Sequence, residues 1–173
     1  DPAGPGVPGD RGCACGAGVK PLCATCQRWH ELEASCLEGV VLVCGGRDFG
    51  DHELLVRTLE VVRRRVVVRA VREGEAQGAD LMARRWAEER RIPVQPYAAE
   101  WRPGGVFNPR AGPDRNRLML DDQDVADPMK RVVCCVAFQG GGGTIHMARL
   151  AEAAGLPVWR VGWSDERKRR KKG

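Results

Sequence analysis

Residues 132–155 read VVCCVAF, then QGGGGT, then IHMARLAEAAG, and the reading of these three pieces decides the fold. Seven apolar, β-favouring residues from Val132 to Phe138 are too short a run for an ordinary helix and read as a strand buried on both faces. The four glycines Gly140, Gly141, Gly142 and Gly143 are expected to take backbone dihedrals closed to other residues and to bring their N–H groups against a ligand. Thr144 is placed to cap a helix, and Gly155 to stop it. Strand, glycine loop and helix N-terminus together make an anion site, because unpaired amides and the positive end of the helix dipole converge. The plainer reading is a tight strand-to-helix turn with no ligand. Four consecutive glycines exceed what such a turn needs.

Working outward, the chain of 173 residues with 43% hydrophobic content supports one main core plus appendages. No apolar run approaches the ~20 residues of a membrane-spanning helix, and no signal-peptide pattern opens the chain, so a cytoplasmic location is expected. The net charge of +5 is local. Six of the 28 basic residues lie in 167–172, which leaves 22 against 23 acidic ones elsewhere. The body therefore lacks the basic excess of a nucleic-acid binder. The run Arg167–Lys172 reads as a solvated, disordered tail, 164–173, that could touch nucleic acid weakly through its charge.

Residues 1–12 are rich in Pro and Gly and read as disordered. Cys13, Cys15, Cys23 and Cys26 follow in the 13–38 segment. A Cys-x-Cys pair and a Cys-x-x-Cys pair offer four thiolates on two short knuckles, which suits tetrahedral zinc. His30 or Cys36 could stand in for one thiolate, Cys13 first. Disulfides are the alternative, disfavoured in a reducing compartment. An all-sulfur site leaves no open position for water, so the expected zinc is structural.

From Gly39 the pattern alternates. Val40–Cys44 reads as a short buried strand, followed by the glycine-bearing loop Gly45–Gly50. Asp51 is placed to cap a helix that carries Leu54, Leu55, Leu59 and Val62 at helical spacing. A strand over 66–71 follows, then a helix with Met82, Ala83, Trp86 and Ala87 on one face. Next come a strand over 94–97, an irregular stretch over 98–114, a short helix over 115–121, the opening strand, and a fifth strand over 157–161. Alternation of this kind implies a parallel sheet covered on both faces. The fold class expected for 39–163 is a Rossmann-like three-layer α/β/α domain with a mostly parallel sheet, preceded by the small zinc-knuckle-like segment. Its nucleotide-binding version has strand order 3-2-1-4-5, with ligands at the switch point between strands 1 and 4. Both glycine loops follow those two strands.

Five blocks, VLVCGGRDFGD ending at Asp51, GADLMARRWA (78–87), AEW (99–101), AGPDRNRLML (111–120) and VAFQGGGGTIHMARLAEAAGLPV (136–158), resemble the YspA-type, cpYpsA-related branch of the SLOG superfamily. The resemblance spans roughly 40–161 and excludes the cysteine segment and the tail. It implies a Rossmann-like domain binding nucleotides or nucleotide-derived ligands, in some members linked to phage or bacterial stress functions. The superfamily also contains phosphoribohydrolases with the motif PGGxGTxxE. On this chain Gln139 takes the proline position, Gly140, Gly141, Gly143 and Thr144 match, and Met147 stands where the glutamate belongs. A thioether cannot transfer a proton, so the chain leans towards binding rather than catalysis unless Asp48, Asp80 or Glu100 substitutes.

The expected ligand contacts are Gly45, Gly46, Arg47, Asp48, Gly78, Asp80, Arg115, Asn116 and Gly140 to Thr144. Arg115 suits a phosphate oxygen by its forked, permanent charge, Asn116 a sugar or base, and Trp101 a base or a buried loop. Asp80 could equally be a helix N-terminal charge. Three functions follow: a nucleotide sensor or binding module, an N-glycosidic hydrolase of nucleoside monophosphates, or a nucleic-acid-associated protein. Self-association is left open.

Overall fold

The computed structural model describes residues 37–163. The expected zinc ligands Cys13, Cys15, Cys23 and Cys26, and the basic tail, lie outside the described residues. Within them the chain runs β1 (Glu38–Cys44), α1 (His52–Arg65), β2 (Val67–Glu73), α2 (Ala79–Glu89), β3 (Val94–Pro96), a 3₁₀ turn (Pro103–Gly105), α3 (Ala111–Asp121), β4 (Val132–Phe138), α4 (Gly142–Ala153) and β5 (Val158–Val161). All five strands are parallel, in the order β3-β2-β1-β4-β5. That is the order expected for the nucleotide-binding version of the fold.

Strand periodicity sorts the core into two layers. On β1, Val41 and Val43 face one side with Val136 and Phe138 of β4, and pack against Leu55, Leu59 and Val62 of α1 and Ala83, Trp86 and Ala87 of α2. Val40, Leu42 and Cys44 face the other side with Cys135 and Ala137, beneath Met119 and Leu120 of α3 and Met147, Ala148 and Ala151 of α4. Every residue of β4 is buried, which is why its sequence is uniformly apolar rather than alternating. The sheet is thus covered on both faces, α1 and α2 on one, α3 and α4 on the other.

Local chemistry sets the helix ends. Asp51 caps α1 as expected, its carboxylate accepting from the Leu54 N–H at 2.9 Å. Gly155 sits just past α4 at φ +81°, and its N–H bonds to the Glu152 carbonyl at 3.0 Å. Two expectations are corrected. Gly141 occupies the N-cap of α4, and Thr144 lies buried within the first turn instead of capping it. The last helix before β4 starts at Ala111 rather than Arg115.

Candidate functional site

The two glycine loops meet. Gly46 in the β1–α1 loop donates its N–H to the carbonyl of Gln139, the residue after β4, at 3.1 Å. Side chains would prevent this approach. A Cβ on Gly46 would lie 2.9 Å from the Gln139 oxygen, and one on Gly140 only 2.6 Å from the Gly46 nitrogen. Gly78, at φ +78°, closes the arrangement from behind: a Cβ there would lie 2.2 Å from the Gly46 carbonyl oxygen. Gly45 is fixed the same way, its Cβ position 2.4 Å from the Cβ of Ala79. These glycines are packing requirements of the crevice walls.

Gly141, Gly142 and Gly143 differ. None has a positive φ, and a Cβ on any of the three would meet nothing within 4 Å. The expectation that the glycine run takes dihedrals forbidden to other residues is therefore wrong for this loop. What the glycines leave is open space over the first amides of α4. In the first turn of a helix these donors have no intrahelical acceptor and sit at the positive end of the dipole.

That space belongs to a cavity of about 500 Å³ at the C-terminal ends of β1 and β4. Gly45, Gly46, Arg47, Asp80, Arg115, Asn116, Gly141, Gly142, Gly143 and Thr144 all line it, with Cys44, Trp101, His146 and Met147. Four residues singled out from the sequence fall elsewhere. Gly78 buttresses from outside. Asp48 is exposed and, with Gly140, lines a neighbouring depression beside Phe49 and Gln139. Glu100 is exposed and lines neither.

Internal bonds define how the lining residues are held. Asn116 is buried, donates to the Gly143 carbonyl at 3.1 Å and to His146 Nδ1 at 3.2 Å, and accepts from Arg115 Nε at 3.0 Å. Its amide hydrogens thus tether α3 to the start of α4. The bond to His146 requires that ring to accept through an unprotonated Nδ1. Arg115 reaches across the crevice mouth to donate to the Gly74 and Tyr97 carbonyls. Its Nη2 makes no hydrogen bond among the described residues, so one edge of the fork is uncommitted. Trp101 stands at the rim, 38% exposed, stacked on Phe107 at 6.2 Å, with the Arg47 guanidinium 5.7 Å from its ring centre.

Asp80 is the one carboxylate lining the main cavity among the described residues. It is 3% exposed, and its Oδ2 accepts from the N–H groups of Gly74 at 3.0 Å and Ala76 at 3.4 Å. Its Oδ1 is buried with no hydrogen-bond partner. Burial pushes its pKa up to about 6, against the pull of the Arg115 charge. At the floor, Cys44 is raised well above the usual thiol range by its hydrogen bond with Cys135 and by burial.

Gly74 was not among the expected site residues. A Cβ there would lie 1.8 Å from Arg115 Nη1, so the glycine gives the guanidinium its path. The available signal was its position immediately after β2, a third glycine at a strand C-terminus beside the switch point. Gly112 plays a similar part for Trp101, its Cβ position 3.1 Å from the indole edge.

Fold and crevice together define a Rossmann-like α/β domain whose switch point is built from glycine backbone and a helix N-terminus. Residues 39–104 match the model of the YAcAr family, the YspA, cpYpsA-related SLOG family, so the resemblance read from the sequence is shown over that stretch. Among solved structures the chain is similar to DNA processing protein A from Helicobacter pylori, described for its single-stranded DNA binding mode. The TM-score is 0.49 at 16% identity, over 83% of this chain and 75% of that one. No curated protein matches the chain. Among the described residues no helix is long and apolar enough to cross a membrane.

Proposed function

We propose that this domain binds a nucleotide or nucleotide-derived ligand in the crevice between the ends of β1 and β4, and acts as a sensor or binding module. The observation carrying this reading is the open, side-chain-free surface over Gly141, Gly142 and Gly143 at the start of α4. Internal packing does not require glycine at these positions. A phosphate approaching the helix amides does, because each added Cβ would occupy that approach. The uncommitted edge of Arg115 supplies a cation on the same cavity. A volume of about 500 Å³ falls within the range of small-molecule sites.

Met147 lines the cavity where the glutamate of related hydrolases would stand, and it can transfer no proton. Binding is therefore favoured over N-glycosidic cleavage. Cleavage would leave Asp80 to handle the proton.

A thermal-shift panel of nucleoside mono-, di- and triphosphates on the full chain tests the reading. At ~100-fold excess over Kd a ligand adds about 2.7 kcal/mol, a shift of several degrees for a domain of this size. Gly142→Val should fold and lose the shift. A variant that keeps the full shift, or a panel with no shift in the parent, counts against the site. Release of free base from any monophosphate, followed by chromatography, would move the assignment to an enzyme.

A further inference from the structure

We infer that Asp80 selects the ligand by its sugar, its Oδ1 accepting a hydrogen bond from a hydroxyl of a ribose whose phosphate lies against the start of α4. The inference rests on the nucleotide reading above and adds to it a sugar class and the residue that reads it.

A buried carboxylate oxygen without a partner is costly, since the group loses its hydration and gains nothing in return. Asp80 is otherwise carefully held: two backbone N–H groups fix Oδ2 and leave Oδ1 as the unmatched atom. The missing partner must be a donor. Asp80 lines the same cavity as Gly141, Gly142 and Gly143; Oδ1 itself is covered, so a ligand filling that cavity supplies the donor once the carboxylate turns towards it.

Charge decides which part of the ligand this is. A phosphate is repelled by a carboxylate and attracted by helix amides, so it belongs at the α4 end. The base belongs at the rim, where it can displace the exposed Arg47 guanidinium from over the Trp101 ring and stack there, whatever its identity. The sugar bridges base and phosphate and carries vicinal hydroxyl donors, so it passes over the carboxylate at the floor. The raised proton affinity of Asp80 is what burial without a donor produces, and a ribose hydroxyl would relieve it.

The test is titration calorimetry on the full chain with AMP, GMP, CMP and UMP, then the 2′-deoxy and 2′,3′-dideoxy counterparts of the tightest. A hydrogen bond to a charged acceptor is worth ~1.5–3 kcal/mol, so the ribonucleotide should bind at least ~10-fold more tightly than its dideoxy form. Equal affinities in the parent protein overturn the inference while leaving the nucleotide reading intact, and need no variant to interpret. If no nucleoside mono-, di- or triphosphate binds, that reading fails and this one with it. Asp80→Ala, checked for folding by its melting transition, should bring the two affinities within about twofold. A variant that folds and keeps the full preference also overturns the assignment.

Discussion

Gly46 and Gln139, 93 positions apart, are joined by a single backbone hydrogen bond of 3.1 Å. This bond makes one crevice of two loops, and the glycines around it divide into two kinds with opposite mutational behaviour. Gly78→Ala must place a Cβ 2.2 Å from a backbone oxygen at φ +78°, with no flexible side chain to yield. It should cost about 2 kcal/mol or more. Gly142→Ala meets nothing and replaces a poor helix former, so it should be neutral or stabilising by up to ~1 kcal/mol. Urea unfolding midpoints of the two variants check the contrast. Equal destabilisation would mean that α4 starts differently.

Asp80 gives the fold a pH dependence of definite sign. Burial pushes its carboxyl up to about 6 in the folded protein, from an ordinary 3.8. Between roughly pH 4 and 6 the native state therefore holds more proton than the unfolded chain, and this residue's contribution to stability falls as pH rises through that window. The ceiling is about 3 kcal/mol. Asp80→Asn should melt above the parent at pH 8, and the gap should narrow as pH falls towards 4. A gap independent of pH would show that Asp80 does not titrate in the fold in this way.

Much of this was legible in the sequence, and the failures have physical causes. The buried strands β1 and β4 announce themselves because burial on both faces leaves no room for polar residues. Alternation and crossover handedness restrict the topology, and the nucleotide-binding version of the fold supplies the strand order. The start of α3 was misread because Gly112 and Pro113 look like loop punctuation. Proline is nevertheless tolerated in a first helical turn, where its missing N–H would have had no intrahelical acceptor. Asn116 illustrates a deeper limit. A polar residue facing a crevice and one tethering its wall look alike in sequence, and only the position of Gly143, 27 residues on, shows the tether.

Gly74→Ala separates Arg115 from folding. The added Cβ would collide with the far end of a flexible side chain rather than with backbone. Arg115 should swing off the Gly74 and Tyr97 carbonyls at a cost of about 1 kcal/mol. The Tm should drop by only a few degrees, while any phosphate-dependent thermal shift should fall together with that of Arg115→Ala. A Gly74→Ala protein that keeps its full ligand shift would place Arg115 outside the binding event.

Arg91 follows α2 at φ +56°, while the Ile92 N–H reaches back to the Ala87 carbonyl at 2.9 Å. This is the helix-ending geometry that glycine adopts without penalty. Arg91 is exposed and forms no ion pair among the described residues that its loss would break. Arg91→Gly should raise stability by about 0.5–1 kcal/mol, read as a higher urea midpoint with an unchanged slope. A lowered midpoint would mean that the left-handed turn is not populated.

The short strand β3 has a consequence for how copies of this molecule meet. The Tyr97 N–H bonds to the Glu73 carbonyl and the Pro93 carbonyl accepts from Val71, so odd-numbered positions of this margin look inward to β2. Val94 and Pro96 look outward, and proline has no N–H to offer. A strand arriving from another copy would find a single amide donor along β3, too little to template an added ladder. On that flank the sheet is closed to growth by one imino acid.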